Sequence, residues 1–247
     1  MEKVGLTGPG ILWSASRIRK PDQLDWDSFL KWYEGDLIPQ ALAIDGFHSC
    51  FRGVVTDYGV ERPNIVVLAT QDLKVFDSPE FSVISDSGKR LMAGTAGFYD
   101  VLDFDNRWYS LISVSDHGKK PLAETKSFMT VGWDIKGDLA ESVVDNWFEQ
   151  HHCPQLAKIP GFIRTTRFRA QHTRWSAGNG AQLPCPDFFE IMEFETPDID
   201  VMTIIEHADQ SEEGQRIQNE IMESCHFEFA RFSMEGTWGK GPMFEQS

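Results

Sequence analysis

The chain has 247 residues, with 38 acidic and 23 basic side chains and a formal net charge of −15. A hydrophobic share of 41% excludes a disordered chain, and the length fits one large domain or two of about 100–200 residues. The acidic excess argues against nucleic acid, whose phosphates need a Lys/Arg-rich face, and against an anionic membrane surface.

In chain order, Ile11 to Ile18 reads as a strand ended by Pro21 and Asp22. Leu24 to Ala43 carries Trp26, Phe29, Leu30, Tyr33 and Leu37 at helical spacing. Pro39 inside that run predicts a kink or a split helix, and Gly46 ends it. Strands follow at Phe47 to Thr56 and Pro63 to Gln71. Ser78-Pro79-Glu80 opens a helix reaching about Leu91, with Pro at its first position. Trp108 to Ser115 is the next strand. After the linker His117-Gly118-Lys119-Lys120-Pro121 the order recurs. Ser127 to Asp134 is a strand, Leu139 to Ala157 a helix, and Phe162 to Ala170 and Phe188 to Phe194 are strands. A long loop spans Ser176 to Pro186, Ile199 to Met222 is a helix interrupted near Gly214, and Cys225 to Met234 is the last strand.

The recurrence is a duplication. Trp32, Glu34, Pro39, Gln40, Ile44, Gly46, Phe47 and Arg52 match Trp147, Glu149, Pro154, Gln155, Ile159, Gly161, Phe162 and Arg167, each pair 115 positions apart without a gap. Each half reads β-α-β-β-α-β, the ferredoxin-like split βαβ unit. Residues 1–118 form one unit and 119–247 the other. Such a sheet has helices on one face only, and its other face needs a cover. A tandem copy supplies it, so the expected fold is α+β: two units forming an intramolecular barrel.

Trp147-Phe148-Glu149-Gln150-His151-His152-Cys153-Pro154, followed by Ile159-Pro160-Gly161-Phe162, resembles the EthD-like branch of the dimeric α+β barrel superfamily. The first half matches it less well, because Leu37 stands where the family usually has His. The resemblance implies dimers of one-unit chains or tandem two-unit chains, leaving a homodimer of this chain open. It implies hydrophobic ligands held between sheet and helices. It also implies small enzymes of aromatic-degradation or polyketide pathways, often without a cofactor, that oxygenate phenols or anthrones, decarboxylate or close rings. Some members bind haem.

His152 occupies the family's His position and is the first candidate for acid/base chemistry near neutral pH. Because the duplicate has Leu37, at most one of the two pockets can use it. His48, Cys50 and Arg52 share one face of a strand. A His with an Arg two residues on can hold and polarise a carboxylate or enolate, and the plainer reading is a solvated strand start. His226, Glu228 and Glu190 fall on strands with largely apolar faces, where an unpaired charge is costly. The expected catalytic residues are therefore His152, His48 and His226. The expected substrate contacts are Trp13, Arg52, Glu190 and Phe229. Eight Trp and eighteen Phe suit a flat hydrophobic ligand as well as an ordinary core.

No metal site is expected. Adjacent His151 and His152 point about 100° apart on a helix, and no other ligand pair has metal spacing. Gly5-Leu6-Thr7-Gly8-Pro9-Gly10 is no P-loop, because no Lys-Ser/Thr follows. The start lacks a basic segment followed by an apolar one, and no run reaches the ~20 apolar residues of a membrane span. Cys50, Cys153, Cys185 and Cys225 form no CxxC pair, so reduced thiols and a cytoplasmic location are expected.

The functional expectation is an enzyme without cofactor acting on a hydrophobic phenolic or polyketide-like carbonyl compound, as a cyclase, decarboxylase or isomerase. A cofactor-free oxygenase and a non-catalytic hydrophobic-ligand-binding protein are the alternatives.

Overall fold

A computed structural model describes residues 5–57, 59–84, 98–175 and 185–246. Its strands are β1 Gly10–Ile18, β2 Phe47–Val55, β3 Asn64–Thr70, β4 Leu102–Asp116, β5 Ser127–Ile135, β6 Phe162–Trp175, β7 Phe188–Phe194 and β8 Cys225–Gly239. They close a barrel in the order β1-β3-β2-β8-β5-β7-β6-β4. Every neighbouring pair is antiparallel. Strands β1–β4 form one arc and β5–β8 the other. They join through β2–β8 and β4–β6, so the outer strands of each arc pair with the other arc. Closure abolishes sheet edges.

Side chains alternate across this wall. Inward go Ile11, Trp13, Phe51, Val67, Tyr109, Phe128, Phe168, Phe189, Ile191 and Phe232, forming an aromatic interior. Phe128 stacks on Phe232 at 4.8 Å and meets Phe51 edge-on at 5.1 Å. Gly53 is required beside them, because a Cβ there would lie 2.6 Å from the Phe128 ring. One end is plugged by the C-terminal segment, with Met243 and Phe244 buried against Leu122. At the same end Arg164 and Glu193 are fully buried, 3.1 Å apart. Burial pushes the Glu193 carboxyl up, while Arg164 opposes that shift.

Outward-facing residues meet the helices. In the first half these are α1 Trp26–Trp32, α2 Ile38–Leu42, α3 over residues 79–84, and α4 Phe98–Val101. In the second they are α5 Glu141–Trp147, α6 Cys153–Leu156, α7 Val201–Glu206 and α8 Glu212–Ser224. The split expected at Pro39 takes a specific form in both halves. A π-helical turn, Tyr33–Leu37 or Phe148–His152, separates α1 from α2 and α5 from α6. Proline has no N–H to give the carbonyl four residues back, and the residue before it reaches five back instead: Ile38 N–H to Tyr33, Cys153 N–H to Phe148.

Two expectations need correction. The last helix breaks at residues 207–211, ahead of Gly214. Ser211 caps α8 by accepting from the Gly214 N–H, and Gly214 leaves room for Asp209, whose carboxyl a Cβ would meet at 2.5 Å. Strands β4, β6 and β8 run to 14–15 residues, well beyond their sequence limits, because each spans the joint between arcs. The helix start at Ser78 holds, with Ser78 Oγ accepting from Phe81 N–H. The end expected near Leu91 and residues 176–184 of the Ser176–Pro186 loop lie outside the described residues.

Phe128→Ala removes a fully buried ring from the shared interior. It is expected to cost about 3–5 kcal/mol, read as a lower urea midpoint with a single unfolding transition for both arcs.

Candidate active site

Between the second arc and its helices lies a cavity of about 270 Å³. Its sheet wall is the outward set Met129, Val131 and Trp133 of β5, Glu190 and Met192 of β7, and Phe227 of β8. The helix wall is the π turn, with Trp147, Phe148, His151 and His152, closed over by α7 and the turn after it, from Val201 to Asp209. π turns break the regular ladder and often mark functional positions. Here the wider turn turns two adjacent histidines toward one cavity.

His152 is the centre of this wall. Its ring stacks on Trp147 at 4.6 Å and meets Phe148 edge-on at 4.9 Å. Its Nε2 lies 3.6 Å from Glu190 Oε1. Glu190 is 1% exposed, and the same oxygen accepts from Thr165 Oγ1 at 2.5 Å. A carboxylate facing Nε2 favours a proton there and leaves Nδ1 with the lone pair. Separations slightly beyond hydrogen-bond length are usual for such couples before substrate binds.

Two further histidines share the cavity. His151 Nδ1 donates to Asp209 Oδ2 at 2.7 Å, and His207 Nδ1 donates to the Thr203 carbonyl at 2.8 Å. Asp209 is thereby lowered from 3.8 to about 2, first by the His151 hydrogen bond and then by the Ser211 amide. Cys153, next in sequence, is no nucleophile at neutral pH, since burial pushes its thiol up to about 12. The four cysteines are free thiols.

Among the described residues no Lys or Arg lines the cavity. Arg167, opposite Glu190 in register and on the same face, is buried beside the cavity, with its guanidinium 4.1 Å from the Phe148 ring centre and bonded to Asp145 at 2.7 Å. Among the described residues no group of three or more His, Cys, Asp and Glu is placed to hold a metal ion.

The expected site residues divide. His152, Glu190 and Phe229 line this cavity together, Phe229 at its mouth with 53% exposure. Trp13 is buried inside the barrel. Arg52 is buried and held by Glu34 at 2.7 Å. His48 bonds the Met243 carbonyl at 2.5 Å and packs on Phe244, so it anchors the C-terminal plug. His226 is exposed at the start of β8. Asp209 and His207 carry no sequence signal, and His151 enters the sequence reading only as a rejected metal partner of His152, because 58 residues separate it from Asp209.

The first arc carries the degenerate counterpart. Arg52 faces Val66 as Arg167 faces Glu190, so the repeat maps Glu190 onto Val66 and His152 onto Leu37. Both Leu37 and Val66 line a cavity of about 100 Å³ that lacks the acid/base couple.

No family model matches the chain, and no curated protein matches it in sequence. Solved structures do match in fold. An anthrone oxidase-like protein aligns with TM-score 0.53 at 9% identity over 96% of this chain and 95% of its own. A candidate monooxygenase from Fusobacterium nucleatum aligns with TM-score 0.55 at 11% identity over 98% and 97%. A mutant chlorite dismutase from Candidatus Nitrospira defluvii, in complex with cyanide, gives 0.53 at 8% over 93% and 92%. The fold is thus a two-arc α+β barrel like that of these solved structures. No helix among the described residues is long and apolar enough to cross a membrane.

The lowered Asp209 sets a pH expectation. A carboxylate with a folded-state value below its unfolded one adds stability above about pH 4 and loses it as pH falls toward 2. Amides of residues 207–211 should therefore lose hydrogen-exchange protection between pH 4 and 2 before the barrel strands do. Asp209→Asn should remove that step.

Proposed function

We propose that the chain is a small-molecule enzyme of the EthD-like branch. In this reading it moves protons, without a cofactor, on a hydrophobic phenolic or polyketide-like carbonyl compound, as a cyclase, decarboxylase or isomerase. The observation that carries this reading is the placement of His152 beside buried Glu190 in the wall of an aromatic cavity. Nδ1 of His152 takes a proton from the acidic C–H or O–H of the substrate. Glu190 stabilises the imidazolium that forms, and the same proton returns at a different substrate atom. Trp147, Trp133 and Phe227 hold the flat substrate in its reactive orientation, which lowers the barrier by proximity. The described residues of the walls include no Lys or Arg, which favours an uncharged substrate.

A second reading, oxygenation, is favoured by fold relatives described as anthrone oxidase-like and as a candidate monooxygenase. The same deprotonation delivers an electron-rich carbanion or phenolate, which takes up dioxygen.

The test uses 2-tetralone, an uncharged enolisable two-ring ketone, in D2O, with α-proton exchange followed by NMR. The wild-type chain is expected to accelerate exchange, and folded His152→Ala to lower that acceleration by about 10²–10⁴-fold. Unchanged exchange in His152→Ala removes the assigned role. Anthrone under labelled dioxygen separates the two readings by whether the label enters product.

A further inference from the structure

The cavity holds a second carboxylate–imidazole couple, which proton transfer to His152 leaves unused. Among the described residues the carboxylates of its lining are Glu190 and Asp209, and each faces a histidine. The couples differ in which nitrogen is tied. Glu190 stands by Nε2 of His152, whereas Asp209 accepts from Nδ1 of His151. Nε2 of His151 has no hydrogen-bond partner among the described residues and is not closed off by burial, and the residue lines the cavity.

The couples also differ in strength. His152 lies 3.6 Å from Glu190, and the oxygen it faces already accepts from Thr165 Oγ1 at 2.5 Å. His151 lies 2.7 Å from Asp209, whose other oxygen is held by the Ser211 amide at 2.9 Å. Asp209 stays ionised far below neutral pH, first because of the His151 hydrogen bond. A proton added at His151 Nε2 therefore completes an ion pair with a fixed partner. The third histidine lacks this support. His207 Nδ1 donates to the Thr203 carbonyl, which carries no charge to balance a second ring proton. His151 is thus the ring suited to donate, and His152 the ring suited to accept. Gly214 positions the donor's partner without lining the cavity, since a Cβ there would lie 2.5 Å from Asp209 Cγ and Oδ2.

Resting on the acid/base reading of this cavity, we propose that His151 is a second catalytic group. It binds the substrate's carbonyl oxygen through Nε2–H while His152 takes the neighbouring C–H proton, and Asp209 is its positioning residue. The step balances within the cavity. The C–H bond breaks to His152 Nδ1, its electron pair forms the C=C bond, and the carbonyl π pair takes the proton from His151 Nε2. An enol and a neutral His151 result, and both transfers reverse when the proton returns to carbon. Consecutive residues have Cα atoms about 3.8 Å apart, which suits a C–H and a C=O on adjoining carbons. The substrate class narrows accordingly to an uncharged ketone with an acidic α-hydrogen, in preference to a phenol, whose oxygen already carries the acidic proton.

2-Tetralone and tetralin, alike in size but with and without the carbonyl oxygen, are the probes, each bound to the full chain in equilibrium dialysis. The readout is the ratio of their dissociation constants, which needs no turnover. From wild type to His151→Phe the preference for 2-tetralone is expected to fall about tenfold or more, as on losing a hydrogen bond from a charged donor. Gly214→Ala, which displaces Asp209 while favouring the helix, should lower it about threefold or more. His207→Phe should leave it within about twofold. In D2O, α-proton exchange of 2-tetralone should slow about tenfold or more in His151→Phe. A preference unchanged in both His151→Phe and Gly214→Ala, a preference lost equally in His207→Phe, or exchange at the wild-type rate in His151→Phe would each overturn the proposal. A wild-type chain that shows the His151-dependent preference but exchanges no α-proton would instead remove the base role of His152 and support His151 as the donor to the oxygen.

Discussion

The structure rests on one constraint, that a four-stranded sheet with helices on one face has to bury its other face. Each arc of this chain meets it with the other arc. The inward side chains of both form one aromatic interior, in which Phe51 comes from the first arc and Phe128 and Phe232 from the second. The outer strands pair across the joints as well, so backbone donors and acceptors at the arc edges are satisfied by the same closure. A second copy of the chain is not needed to cover either sheet.

The closure also decides where chemistry can sit. With the barrel interior filled by rings over most of its length, space among the described residues remains on the outer faces under the helices and at the end away from the C-terminal plug. The outer face is doubled by the repeat, yet its two copies have diverged in function-bearing residues. Leu37 and Val66 keep the first pocket apolar and small, while His152 and Glu190 give the second a titratable couple. Duplication preserved the packing positions, such as Trp32 with Trp147 and Arg52 with Arg167, and changed the two that face each other in the second pocket, His152 and Glu190. Both arginines remain buried and paired with a carboxylate of the preceding helix segment, Arg52 with Glu34 and Arg167 with Asp145. That fits a supporting role beside the pocket better than contact with substrate.

The prolines show how a local rule and a tertiary outcome differ. Pro39 and Pro154 announce a break, because their nitrogen has no hydrogen to donate. A kink, a loop or a π turn would each satisfy that rule. The π turn is what allows the chain to continue along the sheet on both sides of the break, and it brings His151 and His152 toward the same cavity although a regular helix would separate their directions by about 100°.

The sequence alone determined the periodic features: strand alternation, the helical runs, the 115-residue repeat, and through them an α+β barrel of two arcs. It also marked His152, Glu190 and Phe229, since each breaks or completes an apolar pattern within its own element. Tertiary structure decided the rest. His48 looked like a polarising group beside Arg52, but its partner is Met243, 195 residues away, at the plugged end. His151 met Asp209 only because Gly214 admits that carboxylate beneath the turn. Periodicity records which face a side chain takes, whereas the partner it meets on that face depends on how distant segments close around the same space.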